Sequence, residues 1–163
     1  MKRLILVRHA KSSWKFPEMD DFDRPLNKKG ARDAPRMGKH LAKLGALPDM
    51  IVTSPARRAR ETAAALAQAM IIPIVDIWED ERIYAASVSV LVEVIRGWDE
   101  TWSSVMIVGH NPGIAELAVA LTGEPVGHVP TCAVMELELN VTYWVDTLPE
   151  CGTLTSRSAP KAI

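Results

Sequence analysis

The sequence predicts an α/β protein: a three-layer α/β/α sandwich on a mostly parallel sheet, with antiparallel strands at one edge. Three observations carry this. Short Val/Ile/Leu runs at 3–8, 50–53, 73–77 and 105–109 are apolar on successive positions, so both faces of each strand are covered. Helical segments alternate with these runs, as parallel strands require. Residues 132–146, "CAVMELELNVTYWVD", instead alternate apolar and polar side chains, the pattern of antiparallel edge strands.

The elements follow in order. The first strand, 3–8, leads into a helix from about Lys28 to Leu44, which Gly45 stops. The strand at 50–53 leads into a helix that opens at Ser54-Pro55 and runs to about Met70. A third helix covers about 87–97, after the strand at 73–77. The strand at 105–109 feeds a fourth, from Asn111-Pro112-Gly113 to about Leu121. Ser54 and Asn111 each precede a proline and read as N-caps with Pro at the first helical position. No element is assigned to the polar tail 147–163, and 1–163 reads as a single domain.

Composition excludes several classes of function. The chain has 163 residues, 48% hydrophobic, and 19 basic against 20 acidic side chains give a net charge of −1. No global basic field exists to hold nucleic acid or an anionic membrane, so anion binding must be local. The apolar run after Met1-Lys2-Arg3 stops after four residues, short of the roughly 7–15 of a signal peptide. "AAALAQAMII" is broken by Pro73, short of the roughly 20 residues of a membrane span. A cytoplasmic location is expected, and with it two free thiols, Cys132 and Cys151.

The chemistry begins at "LILVRHAK", 4–11, where a buried strand ends on Arg8 and His9. "VMIVGHNPG", 105–113, repeats the pattern and ends on His110. Two of the four histidines thus sit at carboxyl ends of predicted parallel strands, where open α/β sheets bind ligands. "SPARRARET", 54–62, adds three arginines at the start of a helix. With about 100° per residue, Ala59, Ala63, Leu66 and Met70 share the core face. Arg57 points away from that face. Arg58 and Arg60 both flank it, and the helical phase alone does not separate them. Two histidines, arginines and two helix starts around one crevice describe a phosphoryl site. Arginine offers forked donors to phosphate oxygens, and a helix start aims free N–H groups at an anion. A neutral histidine attacks phosphorus through one ring nitrogen while a carbonyl fixes the other.

"LVRHAKSSW", "DFDRPLNKKGARDA", "SPARRARETA" and "VGHNPG" resemble, in that order, the motifs of the histidine phosphatase superfamily, most closely its short SixA-type phosphohistidine phosphatase branch. "PTCAVMELEL" resembles that branch's late strand. The resemblance implies a phosphoglycerate mutase-like fold and a hydrolase that needs no cofactor or metal. It implies His9 as the phosphorylated nucleophile and Arg8 as a ligand of the phosphoryl oxygens. Arg58 matches the family arginine four residues after the motif's serine. His110 matches the second histidine, cationic when it stabilises the transferring group. Ala10 stands where the family usually has glycine.

Ser12 and Ser13 follow the nucleophile and, with Asn111, are candidate substrate ligands. Larger family members carry a glutamate acid for the leaving alcohol. Here Asp80 and Glu81 in "WEDERIYAAS" are the candidates. "EMDDFDRP", 18–25, carries four acids but no histidine or cysteine, and reads as a solvated loop rather than a metal site. His40 and His128 have no partner pattern and read as surface or loop residues. The expected substrate is a phosphorylated protein bearing phosphohistidine. Alternatives are a small phosphate monoester, or a phosphate-binding module without catalysis.

Overall fold

The computed structural model describes residues 1–163. Its single six-stranded sheet has β1 (Lys2–Arg8), β2 (Met50–Thr53), β3 (Ile77–Glu79), β4 (Ser104–Gly109), β5 (Val134–Leu139) and β6 (Gly152–Ser158) in the order β3-β2-β4-β1-β5-β6. The first four strands are mutually parallel. β5 runs antiparallel to β1, and β6 antiparallel to β5. Helices α1 (Lys28–Lys43) and α2 (Arg57–Met70) cover one face; α3 (Val88–Arg96) and α4 (Gly113–Thr122) cover the other.

Strand alternation sorts the core. Leu4 and Leu6 pack with Leu91, Ile95 and Leu117 on one side, while Ile5 and Val7 pack with Met37, Leu41 and Leu66 on the other. This is why the strand runs are apolar at every position. The face assigned to α2 is the buried one: Ala59, Ala63, Leu66 and Met70 all lie in the core. Gly45, at φ +72, follows the end of α1 in the left-handed conformation that glycine tolerates.

Four expectations need correction. The strand placed at 73–77 lies at Ile77–Glu79; Ile74–Asp76 form a 3₁₀ turn, with Ile74 and Val75 exposed. Pro73 has no N–H to give a ladder, and the pairing that remains is a short strand at the open edge. The edge strand opposite is not in 132–146. β5 is interior, Trp144–Asp146 form a 3₁₀ turn, and the edge is β6, inside the tail left without structure. β6 has mostly exposed positions because it lies at the open edge of the sheet, paired only with β5, so no apolar pattern announces it. Nor are Ser54 and Asn111 the N-caps. Those positions belong to Ala56 and Pro112, neither of which caps through its side chain. The buried hydroxyl of Ser54 instead meets His110 (2.8 Å) and Ala56 N–H (3.2 Å), and the amide of Asn111 donates to Val129 O (3.0 Å).

Cys132 and Cys151 are unbonded thiols. No helix is long and apolar enough to cross a membrane.

Candidate active site

The sheet order places β4 between β2 and β1, so three parallel strands end side by side. Arg8 pairs with Gly109 across β1 and β4, and the next residues are His9 and His110. Thr53 pairs with Val108, and the next residue on β2 is Ser54. His9 N–H donates to Gly109 O (3.0 Å) and Ser54 N–H to Val108 O (3.0 Å), so ladder-like bonds continue just past the strand ends. The imidazoles of His9 and His110 stand 5.1 Å apart, centroid to centroid.

The backbone holding His9 is clamped from two sides. Cys132 N–H is shared between Arg8 O (3.0 Å) and His9 O (3.1 Å). Ala10 N–H donates to Thr62 Oγ1 (3.0 Å), whose own proton goes to Arg58 O (2.7 Å). The position after the histidine is fully buried, and Ala10 occupies it. The N-terminus of α1 presses on the same loop: a Cβ on Gly30 would collide with Lys11 O.

His9 Nδ1 lies 2.7 Å from Ala10 O. A carbonyl only accepts, so Nδ1 carries the proton and Nε2 keeps its lone pair. Arg58 Nε–H points at that lone pair from 3.4 Å. Arg58 Nη2 lies 3.4 Å from His110 Nδ1 and, as donor, makes that nitrogen an acceptor. His110 Nε2–H then donates to Ser54 Oγ (2.8 Å). One guanidinium thus touches both rings.

Burial is the main force on both imidazoles. It pushes His9 down to about 4, helped by the charges of Arg58, Arg8 and Arg24 and opposed by the Ala10 carbonyl. It pushes His110 down to about 3, helped by His9 and Arg58 and opposed by Asp21. A cationic His110 is therefore not a property of the protein alone. It requires an anion seated against the ring, because the nearest fixed charges are predominantly positive.

Arg58 is buried on the first turn of α2, whereas Arg57 and Arg60 are exposed. Arg57 pairs with Glu61 (3.5 Å); Arg60 donates to Pro55 O (2.9 Å) and pairs with Glu79 (3.4 Å). Arg8 lines the crevice and its Nη1 donates to Val129 O (3.0 Å), while its Nε is buried without a partner. The same burial lowers the Arg8 pKa from its ordinary value.

Five of the eight residues of "EMDDFDRP" are exposed, as a solvated loop requires, but the loop also builds the site. Arg24 is buried and donates to Ser12 Oγ (2.8 Å) while lying 3.6 Å over the Trp14 ring. Asp21 takes hydrogen bonds from Arg58 Nη2 (2.9 Å), Tyr84 Oη (2.7 Å) and Arg24 Nη2 (3.1 Å). Burial would raise the Asp21 carboxyl, but the Tyr84, Arg58 and Arg24 bonds outweigh it and bring it down to about 2. Asp21 thus fixes both arginines. Its signal was the acid-rich composition itself, which also fits a solvated turn; no local pattern reveals that Arg24 folds inward.

The crevice has two halves. One, of about 500 Å³, is lined by Arg8, His9, Ser12, Arg24, Arg58 and His110, with Lys11, Trp14 and His128 at its rim. The other, of about 490 Å³, lies against Asp21, Tyr84, Ser87, Leu91 and Glu116. Arg58, His110 and Asn111 line both. Asn111 Nδ2 donates to Val129 O (3.0 Å), and its Oδ1 is buried without a partner. Ser13 lies outside these walls; its hydroxyl accepts from Lys15 N–H (3.1 Å). Asp80 and Glu81 also lie outside: Asp80 is bound to Arg82 (2.7 Å), which lowers its pKa, and Glu81 is exposed. His128 is on an exposed loop as expected, yet reaches the crevice; His40 bonds Ser158 Oγ (3.3 Å) far from it. No group of three His, Cys, Asp or Glu side chains is disposed to hold a metal ion.

The signature of the histidine phosphatase superfamily (branch 1) matches residues 4–84. An uncharacterized protein of Mycobacterium tuberculosis is 31% identical over 95% of this chain and all of its own length. The chain belongs to the histidine phosphatase superfamily. Within it, a chain of Agrobacterium tumefaciens assigned as the phosphohistidine phosphatase SixA superposes with a TM-score of 0.84 at 30% identity, over 98% of each chain. A SixA protein histidine phosphatase complexed with tungstate shares the fold, with a TM-score of 0.83 at 20% identity over 98% of this chain and 97% of its own. The chain is therefore SixA-like in fold, and its relatives place it among phosphatases and phosphotransferases.

Proposed function

We propose that the chain is a metal-independent phosphatase that forms a phosphohistidine on His9 and acts on protein phosphohistidine. The observation that carries the reading is the His9 tautomer. Nδ1–H is tied to Ala10 O, and the Nε2 lone pair faces the guanidinium of Arg58. Such a ring is a ready nucleophile, and at about 4 its pKa leaves it neutral at working pH.

In the first step His9 Nε2 forms a bond to phosphorus while the bond to the leaving group breaks. Arg8, Arg58 and His110 take the charge on the three phosphoryl oxygens, with fixed donors already in place. Ser12, whose oxygen accepts from Arg24, keeps its own proton for a phosphoryl oxygen. Asn111 lines the site and ties it to Val129. In the second step water attacks the phosphohistidine, releasing inorganic phosphate and neutral His9. The cationic set supplies the charge that a divalent metal supplies elsewhere.

The leaving group separates the substrate classes. An alkoxide needs a proton at neutral pH, and a positioned acid contributes typically 10²–10⁴-fold. Neither Asp80 nor Glu81 lines the crevice, and Asp80 is held ionised by Arg82. An imidazole can depart carrying its proton, so the lack of these acids costs less on a P–N bond.

The test is kcat/KM of EDTA-treated protein on a phosphohistidine protein, set beside sugar phosphates and phosphoglycerates. Full activity without metal and a preference for phosphohistidine are expected. Loss restored by one metal, or a clear preference for a small monoester, overturns the reading. Binding of phosphate with no turnover on any substrate leaves only a phosphate-binding module.

A further inference from the structure

The two halves of the crevice differ in charge. The half that contains His9 presents Arg8, Lys11, Arg24 and Arg58 and no carboxylate. The other half presents Asp21 and Glu116, with Arg58 as its one basic side chain. Arg58 is ion-paired with Asp21 at 2.9 Å, so that pair contributes little net charge to the cavity. Glu116, on the first turn of α4, makes no side-chain hydrogen bond or ion pair within the chain. Its carboxylate is the unbalanced charge of that half, beside apolar walls at Ile83, Leu91 and Ala86.

Position gives this charge a consequence. Arg58 and His110 line both halves, whereas His9 lines only the first. A phosphoryl group held by Arg58 and His110 therefore has His9 on one side and the second half beyond it. In-line displacement sends the leaving group away from the attacking nitrogen. The space that receives it, about 490 Å³, is ample for a side-chain-sized group.

We propose that Glu116 is a specificity-determining residue: it accepts leaving groups that bring an N–H donor and rejects those with a second negative charge. The proposal rests on the phosphatase reading above and refines its substrate class. A carboxylate accepts hydrogen bonds and repels another anion. The departing imidazole of a histidine offers N–H; a glycerate offers a carboxylate.

The test uses the full chain with Glu116→Gln and Glu116→Lys. The probes are phenyl phosphate (uncharged leaving group), 3-phosphoglycerate (anionic leaving group) and a phosphohistidine peptide. The ratio of kcat/KM for 3-phosphoglycerate to that for phenyl phosphate should rise about three- to tenfold in Glu116→Gln and further in Glu116→Lys. Inhibition by inorganic phosphate should change less than about twofold in Glu116→Gln, since phosphate binds the other half. Thermal melting checks each fold, and Glu116→Gln carries the comparison if the lysine variant unfolds. An unchanged ratio overturns the proposal. So does a loss on both phosphate esters that spares the phosphohistidine peptide, which would make Glu116 a proton donor instead. If the wild type disfavours the phosphohistidine peptide relative to phenyl phosphate, the substrate proposed above fails, while the charge ratio still decides the role of Glu116.

Discussion

His9→Ala should abolish turnover, with a loss on the order of 10⁴-fold or more, and leave the fold and phosphate binding in place. The fold survives because the clamps on this loop are backbone groups. Cys132 N–H bonds Arg8 O and His9 O, and Ala10 N–H bonds Thr62, whatever side chain stands at position 9. Phosphate still meets Arg8, Arg58 and His110. Rapid-quench labelling of the wild type, worked up without acid, should place phosphate on His9. Label on a serine or an aspartate would sink the covalent mechanism. So would a His9→Ala protein that keeps a tenth of wild-type activity.

Arg58→Ala should cost on the order of 10²–10³ in kcat, the loss expected for a donor aimed at developing charge. Arg57→Ala and Arg60→Ala should stay within about twofold, as surface substitutions do. Arg58 reaches His9, His110 and Asp21 from a buried position; its neighbours pair with Glu61 and Glu79 at the surface. Arg58→Lys should recover little, because a single ammonium cannot replace a planar fork that contacts two rings and a carboxylate. Steady-state kinetics on the three alanine variants decide the point. A comparable loss at Arg57 would mean that the helix presents a different arginine to the substrate.

Much of this arrangement was legible in the chain because it lies in strands and helix starts. Buried parallel strands must be apolar at every position, and the residues that end them stand out: Arg8, His9 and His110 interrupt such runs. The helical phase excluded Arg57 and left Arg58 with Arg60; the family motif then pointed to Arg58, which is the buried one. Other features have no local signal. Arg24 is buried only because Ser12, Asp21 and Trp14 surround it, contacts that a linear pattern of acids does not encode. Ser54 and Asn111 carry the right side chains for capping, but His110 and Val129 bind them first. β6 is recognised by its pairing with β5 and not by composition. Glu116, five residues after Asn111 along a helix start, reads as an ordinary acid favoured by the helix dipole.

The low basicity of His110 makes anion capture a proton-linked event. At neutral pH the ring is uncharged in the protein alone, with a pKa of about 3. A dianion seated against it opposes the burial and guanidinium effects and raises that value, so binding draws a proton from solution. Affinity for a dianion should then strengthen as pH falls from 8 to 6, and the released phosphate should leave more readily in alkaline solution. Tungstate, which remains a dianion over this range, isolates the effect from titration of phosphate itself. Calorimetric titration in two buffers of different ionisation enthalpy should give different apparent heats, with the sign of net uptake. Equal heats would mean that His110 stays neutral with the oxyanion bound and that Arg8 and Arg58 carry the charge unaided. Catalysis would otherwise cycle protonation with occupancy: the imidazolium exists only while there is a phosphoryl group for it to stabilise.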